Sequence, residues 1–399
     1  MSKAVASPQV IGQPEIRHAT QGARRVERSL DALLQERMRR RHSGVGAQPQ
    51  VSTAERLASL EKFVADHVEG QFSIESLRRM SGGGANESWR FELTHGGKTE
   101  TLVLRVKALG ACCETHVPRE FQVMQAVQGV VPMAKPYWVS PDSSRFGAPG
   151  FVCGFVDGVQ APPSESARAT GMGSVYGERL RARLAPQFVE HEAKLHAFDW
   201  SGQEMSHFDL PRPGTTDAID WRLAFWDRVW DEDKLEEHPT MVLAREWLWE
   251  NRPIVDRVSI LHGDYRNGNF LYDDSTAQIT GILDWELCSL GDRHCDLGYT
   301  MLTAWGHLNE EGNFLNSGLM DTENFVARYQ QASGLEVDPV RLHYYLVFNI
   351  YWSAVALIAT AIRNAEAGLT QLDVMYNLIA GKGGFDIGEL NRLIVEKRS

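Results

Sequence analysis

Leu261-His262-Gly263-Asp264-Tyr265-Arg266-Asn267-Gly268-Asn269-Phe270, followed by Gly281-Ile282-Leu283-Asp284-Trp285-Glu286, is the stretch that decides how this chain folds. Phosphoryl transfer needs one carboxylate to orient an attacking hydroxyl. It also needs oxygen ligands for Mg²⁺, because the metal offsets charge on the β- and γ-phosphates of a nucleotide. Asp264, Asn269 and Asp284 supply that set. Turn chemistry accounts for any one of them alone, since Asp and Asn side chains satisfy turn backbone groups. It does not account for the ordered combination on the lip of an apolar strand.

Outward from this segment the flanks read as short strands: Ser259-Ile260-Leu261, Phe270-Leu271-Tyr272, and Ile279 to Leu283 leading into Asp284. Around them the periodicity is helical, with amphipathic patterns over Ser174 to Phe198, Trp221 to Asp231, Met241 to Asn251, Asp321 to Gln331, Pro339 to Ala367 and Gln371 to Leu378. Upstream the period changes to that of strands: Ile74 to Met80, Glu87 to Leu93, a turn at His95-Gly96-Gly97-Lys98, then Glu100 to Val106. A helix is expected over Pro118 to Gln128, with further strands at Ala134 to Val139 and Gly150 to Val156. Ser52-Thr53-Ala54-Glu55 reads as a capping box opening a helix to about Val68, after a Gly/Pro/Gln linker from Ser43 to Gln50. The expected division is an extension and linker at 1–50, a β-rich lobe at 51–157 and a mainly helical lobe at 158–399.

The spacing Asp-x-x-x-x-Asn from 264 to 269, with Asp284 about fifteen residues later, matches the catalytic loop and metal-binding aspartate of protein kinases. In more detail, His262-Gly263-Asp264-Tyr265-Arg266, Leu283-Asp284-Trp285-Glu286 and Asp296-Leu297-Gly298-Tyr299 resemble the aminoglycoside phosphotransferase and choline kinase-like superfamily. Within it, the chain is similar to the kinase-like domain of acyl-CoA dehydrogenase family 10 and 11 proteins and to bacterial hydroxyacyl-CoA kinases. The resemblance covers roughly residues 55 to 385. It implies an α+β, protein-kinase-like two-lobed fold, with a small antiparallel β-sheet N-lobe that binds nucleotide and a large mainly helical C-lobe. It also implies that Asp264 positions or deprotonates the acceptor hydroxyl, that Asn269 and Asp284 bind Mg²⁺, and that Arg266 stabilises charge on the moving phosphoryl group. His262 and Asp296 read as braces of the loop, and Glu286 as either a metal-site neighbour or a structural residue.

The nucleotide parts follow the same resemblance. Gly82, Gly83 and Gly84, with Ala85 and Asn86, lie between two strands, where bare backbone N–H groups approach phosphates. Arg105 stands where kinases place a strand lysine, and Glu120 is its helix partner; Arg in place of Lys keeps the charge but departs from the general pattern. Lys107 is the alternative cation. Gly154, Phe155 and Val156 occupy the interlobe hinge, where backbone groups meet adenine. For the acceptor, Trp305, His307 and Tyr351 are the places to look.

Composition bounds the rest. The chain has 399 residues, 43% of them hydrophobic and 23% charged, near the averages for soluble globular proteins. The formal net charge of -11 disfavours nucleic acid as a partner. Residues 1–50 carry a local +5, leaving -16 for the remainder, and a basic helix over Gln21 to Arg41 fits either docking on the acidic body or contact with an anionic substrate. Five cysteines without zinc spacing fit a reducing, cytoplasmic setting. Tyr344 to Ile362 is long and apolar enough to span a membrane, but reads as a buried helix of the helical lobe, so no membrane association is expected.

Together these features predict a kinase that uses ATP and Mg²⁺ to phosphorylate a hydroxyl of a small molecule. A hydroxyacyl-CoA or similar catabolic intermediate is the favoured acceptor and an aminoglycoside the alternative. A nucleotide-binding pseudokinase that serves as an interaction module is the reading from outside enzymology.

Overall fold

Trp89, Phe91 and Leu93 on one strand, answered by Leu102, Leu104 and Val106 on the next, decide which way the N-terminal sheet faces, because alternate residues of a strand point to opposite sides. The computed structural model describes residues 24–44, 51–80, 86–108, 110–161, 168–170, 173–368 and 373–396. In it β1 (Phe72–Arg79), β2 (Asn86–His95), β3 (Lys98–Lys107), β4 (Pro136–Ser140) and β5 (Gly150–Gly154) form one antiparallel sheet in the order β1-β2-β3-β5-β4. The buried face bearing those six residues packs on α2 (Thr53–Ala65) through Leu60, Phe63 and Val64. Val103 and Arg105, of opposite parity, face α3 (Val117–Ala126) and the interlobe cleft. A helix α1 (Arg28–His42) lies outside this sheet, and its Leu34 packs into the core of the helical lobe.

The capping box at Ser52 and Glu55 is present, with the serine side chain accepting from the Glu55 amide and the glutamate accepting from the Ser52 amide. The helix it opens stops at Ala65, where the chain turns through Asp66 and His67.

Past the hinge comes a short hairpin of β6 (Arg168–Thr170) and β7 (Gly173–Val175), whose second strand takes the first residues of the helix expected from Ser174. The helix α4 (Glu178–Ala197) begins only after Gly177, which serves as its N-cap. Then follow α5 (Asp217–Asp233) and α6 (Pro239–Glu250), and next the island of β8 (Ser259–Leu261), β9 (Phe270–Asp273), β10 (Gln278–Ile282) and β11 (Ser289–Gly291). β8 pairs with β11 and β9 with β10, both antiparallel. The lobe closes with α7 (His294–Thr300), a small sheet of β12 (His307–Leu308), β13 (Phe314–Asn316) and β14 (Met320–Asp321), then α8 (Thr322–Ser333) and α9 (Pro339–Ala354). A π-helical stretch, Val355–Ala361, leads to α10 (Ile362–Glu366), and α11 (Asp373–Glu396) ends the chain.

Two differences from the sequence pattern have physical causes. The last helix runs to Glu396 rather than ending near Leu378, through the run Gly381-Lys382-Gly383-Gly384 that argues for a break. A Cβ on Gly383 would stand 2.3 Å from Ile358 Cγ2, so bare backbone is what lets α11 lie against the π-helical stretch. The apolar segment Pro339–Glu366 has the length and hydropathy of a membrane span, yet 83% of its most apolar window is buried inside the protein. It is a core helix, and all five cysteines are free thiols.

Candidate active site

Between β8 and β9 the chain makes a turn that only glycine can make. Gly263 has φ of +86°, and a Cβ there would lie 2.2 Å from the Leu287 carbonyl oxygen. The turn is pinned from below by Asp296 of α7, whose two carboxylate oxygens accept the His262 amide at 2.6 Å and the Gly263 amide at 2.9 Å. His262 donates from Nε2 to the Leu283 carbonyl at 2.8 Å and accepts the Asp264 amide on Nδ1 at 3.2 Å. That pattern fixes the neutral tautomer, and burial pushes the imidazole below its ordinary value. His262 and Asp296 thus tie the Asp264 turn to the strand end that carries Asp284.

Three side chains hold the Asp264 carboxylate. Arg266 Nε donates to Oδ1 at 2.8 Å, and Asn269 Nδ2 donates to Oδ2 at 2.7 Å. The Tyr299 hydroxyl is the third donor, its phenol pushed far up by burial and by the Asp264 charge. Sequence reading placed Arg266 on the phosphoryl group. The structure places its guanidinium on Asp264, with the Trp305 ring centre 4.5 Å away. Burial works against the Arg266 charge, but Asp264 outweighs it and raises its pKa. A carboxylate has about four acceptor sites, so after three such bonds Asp264 can still accept from a hydroxyl.

Asp284 follows β10 in the left-handed region, φ 60° and ψ 59°, and its side chain is 45% exposed to the cleft. The Leu283 amide donates to the Asn269 carbonyl at 2.8 Å, which sets Asn269 and Asp284 side by side. Oxygen donors from one carboxylate and one amide suit a hard cation such as Mg²⁺, which keeps several waters and takes few protein ligands. The residues present therefore fit the metal that the sequence implies, with no denser cluster of His, Cys, Asp or Glu among the described residues.

Above them stands Arg105, opposite Ser88 on β2 and Phe151 on β5. Its guanidinium lies 2.9 Å from Asp284 Oδ1, 3.6 Å from Glu120 Oε1 and 3.8 Å from Glu286 Oε2. Burial opposes its charge, and the three carboxylates more than restore it. Glu120, 1% exposed, is pushed up to about 7 by burial, with Arg105 pulling the other way. Glu286 is likewise raised well above the ordinary range, first by burial and then by Asp284. Asn86 donates to Glu286 Oε2 at 2.6 Å and so links the start of β2 to the metal loop. Lys107 points away, bonded to Glu114 and the Thr115 carbonyl, which removes it as the alternative cation. Gly82, Gly83, Gly84 and Ala85 lie outside the described residues.

Between the lobes is a cleft of about 380 Å³ lined by Val103, Met124, Ala134, Gly154, Phe155, Val156 and Ile282, with Arg105, Asp284 and Glu286 at its polar end. Apolar walls with polar groups at one end suit a nucleotide base and its phosphates. The Gly154 and Phe155 amides are already given to the Lys135 and Thr101 carbonyls. Adenine recognition would fall to the carbonyls of the hinge and the Val156 amide.

Around the Arg266 guanidinium the structure assembles residues that the sequence did not single out. Lys382 of α11 reaches over Trp305, 5.4 Å from its ring centre. Its ammonium bonds to Asp386 at 2.7 Å and to Ser353 Oγ at 2.9 Å. The Trp305 indole N–H is buried and meets no acceptor among the described residues. Of the two other suggested acceptor residues, His307 sits at the edge of this wall against Gly318. Tyr351 does not belong to it: it is fully buried, with its hydroxyl on Asp227 Oδ1 at 2.9 Å.

The family described as the phosphotransferase enzyme family matches residues 76–345. Among curated proteins, the probable acyl-CoA dehydrogenase IBR3 of Arabidopsis thaliana is 26% identical over 320 residues, covering 74% of this chain. The chain spans 38% of that relative's length. Among solved structures, a Ralstonia eutropha JMP134 protein named as an aminoglycoside phosphotransferase superposes with a TM-score of 0.63 at 23% identity, covering 85% of this chain and 98% of that one. A second, the aminoglycoside phosphotransferase APH(4)-Ia solved with ADP and hygromycin B, gives 0.53 at 15% identity over 84% of this chain and 98% of that one. These likenesses establish the two-lobed kinase-like fold.

Proposed function

The chain belongs to the phosphotransferase enzyme family, and from that premise we propose that it moves the γ-phosphoryl group of ATP to a hydroxyl of a small anionic metabolite, of the hydroxyacyl-CoA type. The observation that carries the reading is the convergence of Asp264, Asn269, Asp284 and Arg105 at the polar end of an apolar cleft between the lobes. We assign nucleotide binding to residues 51–157 and the catalytic loop and acceptor wall to 158–399, with 1–50 as an extension.

In this reading Asp264 accepts the proton of the acceptor hydroxyl, held in line by Arg266, Asn269 and Tyr299 so that no reorganisation is needed when the hydroxyl attacks. Asn269 and Asp284 would hold Mg²⁺, which when bound offsets charge on the β- and γ-phosphates. Arg105, fixed by Glu120, meets the phosphates from above, and its planar fork suits bidentate contact. Arg266, bonded to Asp264 and stacked by Trp305, keeps positive charge within a few bond lengths of the transferred group.

For the acceptor, Lys382 and Arg266 place cationic side chains beside the Trp305 ring, which suits an anionic or carbonyl-bearing molecule. A polycationic aminoglycoside would meet two cations there. The naming of the relatives as acyl-CoA dehydrogenases supports a hydroxylated acyl thioester, and the free thiols suit a reducing compartment such as the cytoplasm.

ATP consumption measured across hydroxyacyl-CoAs, aminoglycosides and small alcohols tests the proposal, with Asp264→Ala as control. Mg²⁺-dependent turnover on an acyl-CoA, abolished in the variant, is the expected result. Turnover on aminoglycosides alone overturns the acceptor class. ATP binding with no turnover on the whole panel makes the chain a nucleotide-binding module.

A further inference from the structure

The segment before α2 does not trail near the cleft as a basic arm; six of its arginines pair with acids of the body, two of them sharing Asp209 and two sharing Asp233. Arg24 pairs with Asp227, Arg25 and Arg28 with Asp209, Arg37 with Glu232 and Asp233, Arg40 with Glu114 and Arg41 with Asp233. Two acids of the arm run the other way: Asp31 pairs with Arg228 of the helical lobe, and Glu27 reaches the N-terminal lobe. Glu27 is 4% exposed and receives Arg119 of α3 through both terminal nitrogens, at 2.7 and 3.1 Å. Ser29 Oγ accepts from the same guanidinium at 3.1 Å, and the Phe208 ring centre lies 4.0 Å beneath it.

Arg119 directly precedes Glu120. On a helix neighbouring residues point about 100° apart, so α3 is gripped from outside at Arg119 while Glu120 faces inward to Arg105. The chain of contacts runs from Glu27 through Arg119 and Glu120 to Arg105 and ends on Asp284, 2.9 Å from the Arg105 guanidinium. Behind it a cavity of about 50 Å³ is lined by Glu27, His116, Arg119, Arg222 and Glu286, so α3 is not wedged tight on that side. The Glu120–Arg105 separation of 3.6 Å is correspondingly sensitive to how α3 is seated.

We propose that residues 24–29 brace α3, with Glu27 as the positioning residue that seats Glu120 against Arg105 and so sets the affinity for nucleotide. This rests on the kinase reading above. The arm's arginines hold it to the helical lobe and its glutamate holds the helix of the N-terminal lobe, so the brace couples lobe closure to the nucleotide site. Without Glu27 the Arg119 guanidinium is buried with no opposing charge. The helix must then turn to hydrate it, taking Glu120 with it.

Affinity for MgATP, measured by calorimetry on the full chain without any acceptor and paired with thermal unfolding, tests the brace. Glu27→Gln, which keeps the shape and removes the charge, is expected to weaken MgATP binding about tenfold, within the usual range of coupling between sites. Arg41→Ala, which loosens the arm at its far end, is expected to lower Tm and leave the affinity unchanged. Adding Arg119→Met to Glu27→Gln removes the stranded cation and should recover part of the affinity. If Glu27→Gln lowers Tm as Arg41→Ala does but binds MgATP as the wild type does, Glu27 is only structural and the brace is overturned. Should Glu27→Gln fail to fold, Ser29→Ala removes only one contact to Arg119. An affinity loss of about twofold then supports the brace, and unchanged affinity rejects it. A wild-type chain that binds no nucleotide defeats the kinase reading itself, whereas equal binding by wild type and variants defeats the brace alone.

Discussion

The two walls that meet at Asp264 differ in the groups they present: one is built from carboxylates around a single guanidinium, the other carries an ammonium and a guanidinium beside an indole ring. On the Asp284 side one guanidinium, Arg105, serves Glu120, Asp284 and Glu286, and the two buried glutamates are driven toward their protonated forms. That wall has acceptors to spare and is completed by a cation. On the Lys382 side the ammonium is balanced by Asp386, and the Arg266 guanidinium stacks on the Trp305 ring while bonding to Asp264. In the proposed function that wall receives the anion or carbonyl of the acceptor. An enzyme that joins a metal-bound nucleotide to an anionic acceptor needs this difference, with the one carboxylate that serves both substrates where the walls meet.

The comparison breaks first at its centre. Asp264→Asn keeps the shape and the bonds from Arg266 and Tyr299 while removing the group that takes the hydroxyl proton. Its kcat is expected to fall by about a thousandfold or more, with KM for MgATP changed little. A fall in kcat of less than tenfold would move the proton acceptor to another residue.

How much of each wall was readable beforehand follows from how each is built. The Asp284 wall comes from strands and their turns, where period-2 alternation puts Arg105 on the cleft face and an apolar run stops at Asp284. Asp264 and Asn269 were legible from their local spacing, and Glu120 from the family resemblance that gives Arg105 a partner on the following helix. The other wall comes from a helix more than a hundred residues later. Lys382 sits in Gly381-Lys382-Gly383-Gly384, a run that looks like a helix break until Gly383 is seen against Ile358. Tyr299 stood in a noted motif, but no spacing rule brings its hydroxyl to Asp264. Tyr351 failed for the reverse reason: an aromatic at helical spacing is most often core, and this one is fully buried. The docked arm was one of two open readings. It needed the positions of Asp209, Asp227 and Asp233 to decide it.

The donor-rich wall is tested by removing both partners of its ion pair, because taking Lys382 alone strands Asp386 in the interior. The double variant Lys382→Met with Asp386→Asn is expected to raise acceptor KM about tenfold, or about 1.4 kcal/mol, for an anionic acceptor. KM for MgATP should stay as in the wild type. Equal changes in both constants would mean that α11 supports the fold and does not meet the acceptor.

The smallest effect expected is on the acceptor-rich wall, and it depends on pH. Burial raises Glu120 from an ordinary 4.5 to about 7, so between those values the folded chain holds a proton that the unfolded chain has released. Stability contributed by this group is therefore full below about pH 4.5 and is lost as pH rises through about 7. Glu120→Gln removes that dependence, so its Tm should gain on the wild type across this window. Function runs the other way. Ionised Glu120 draws Arg105 off Asp284 and frees that carboxylate for the metal, so KM for MgATP should fall about threefold from pH 6 to pH 8 in the wild type and stay flat in Glu120→Gln. Titration of ATP itself is common to both proteins, so only the difference between the two profiles counts. If the profiles coincide, Glu120 is already ionised throughout, and the Arg105 pair does not govern access to Asp284.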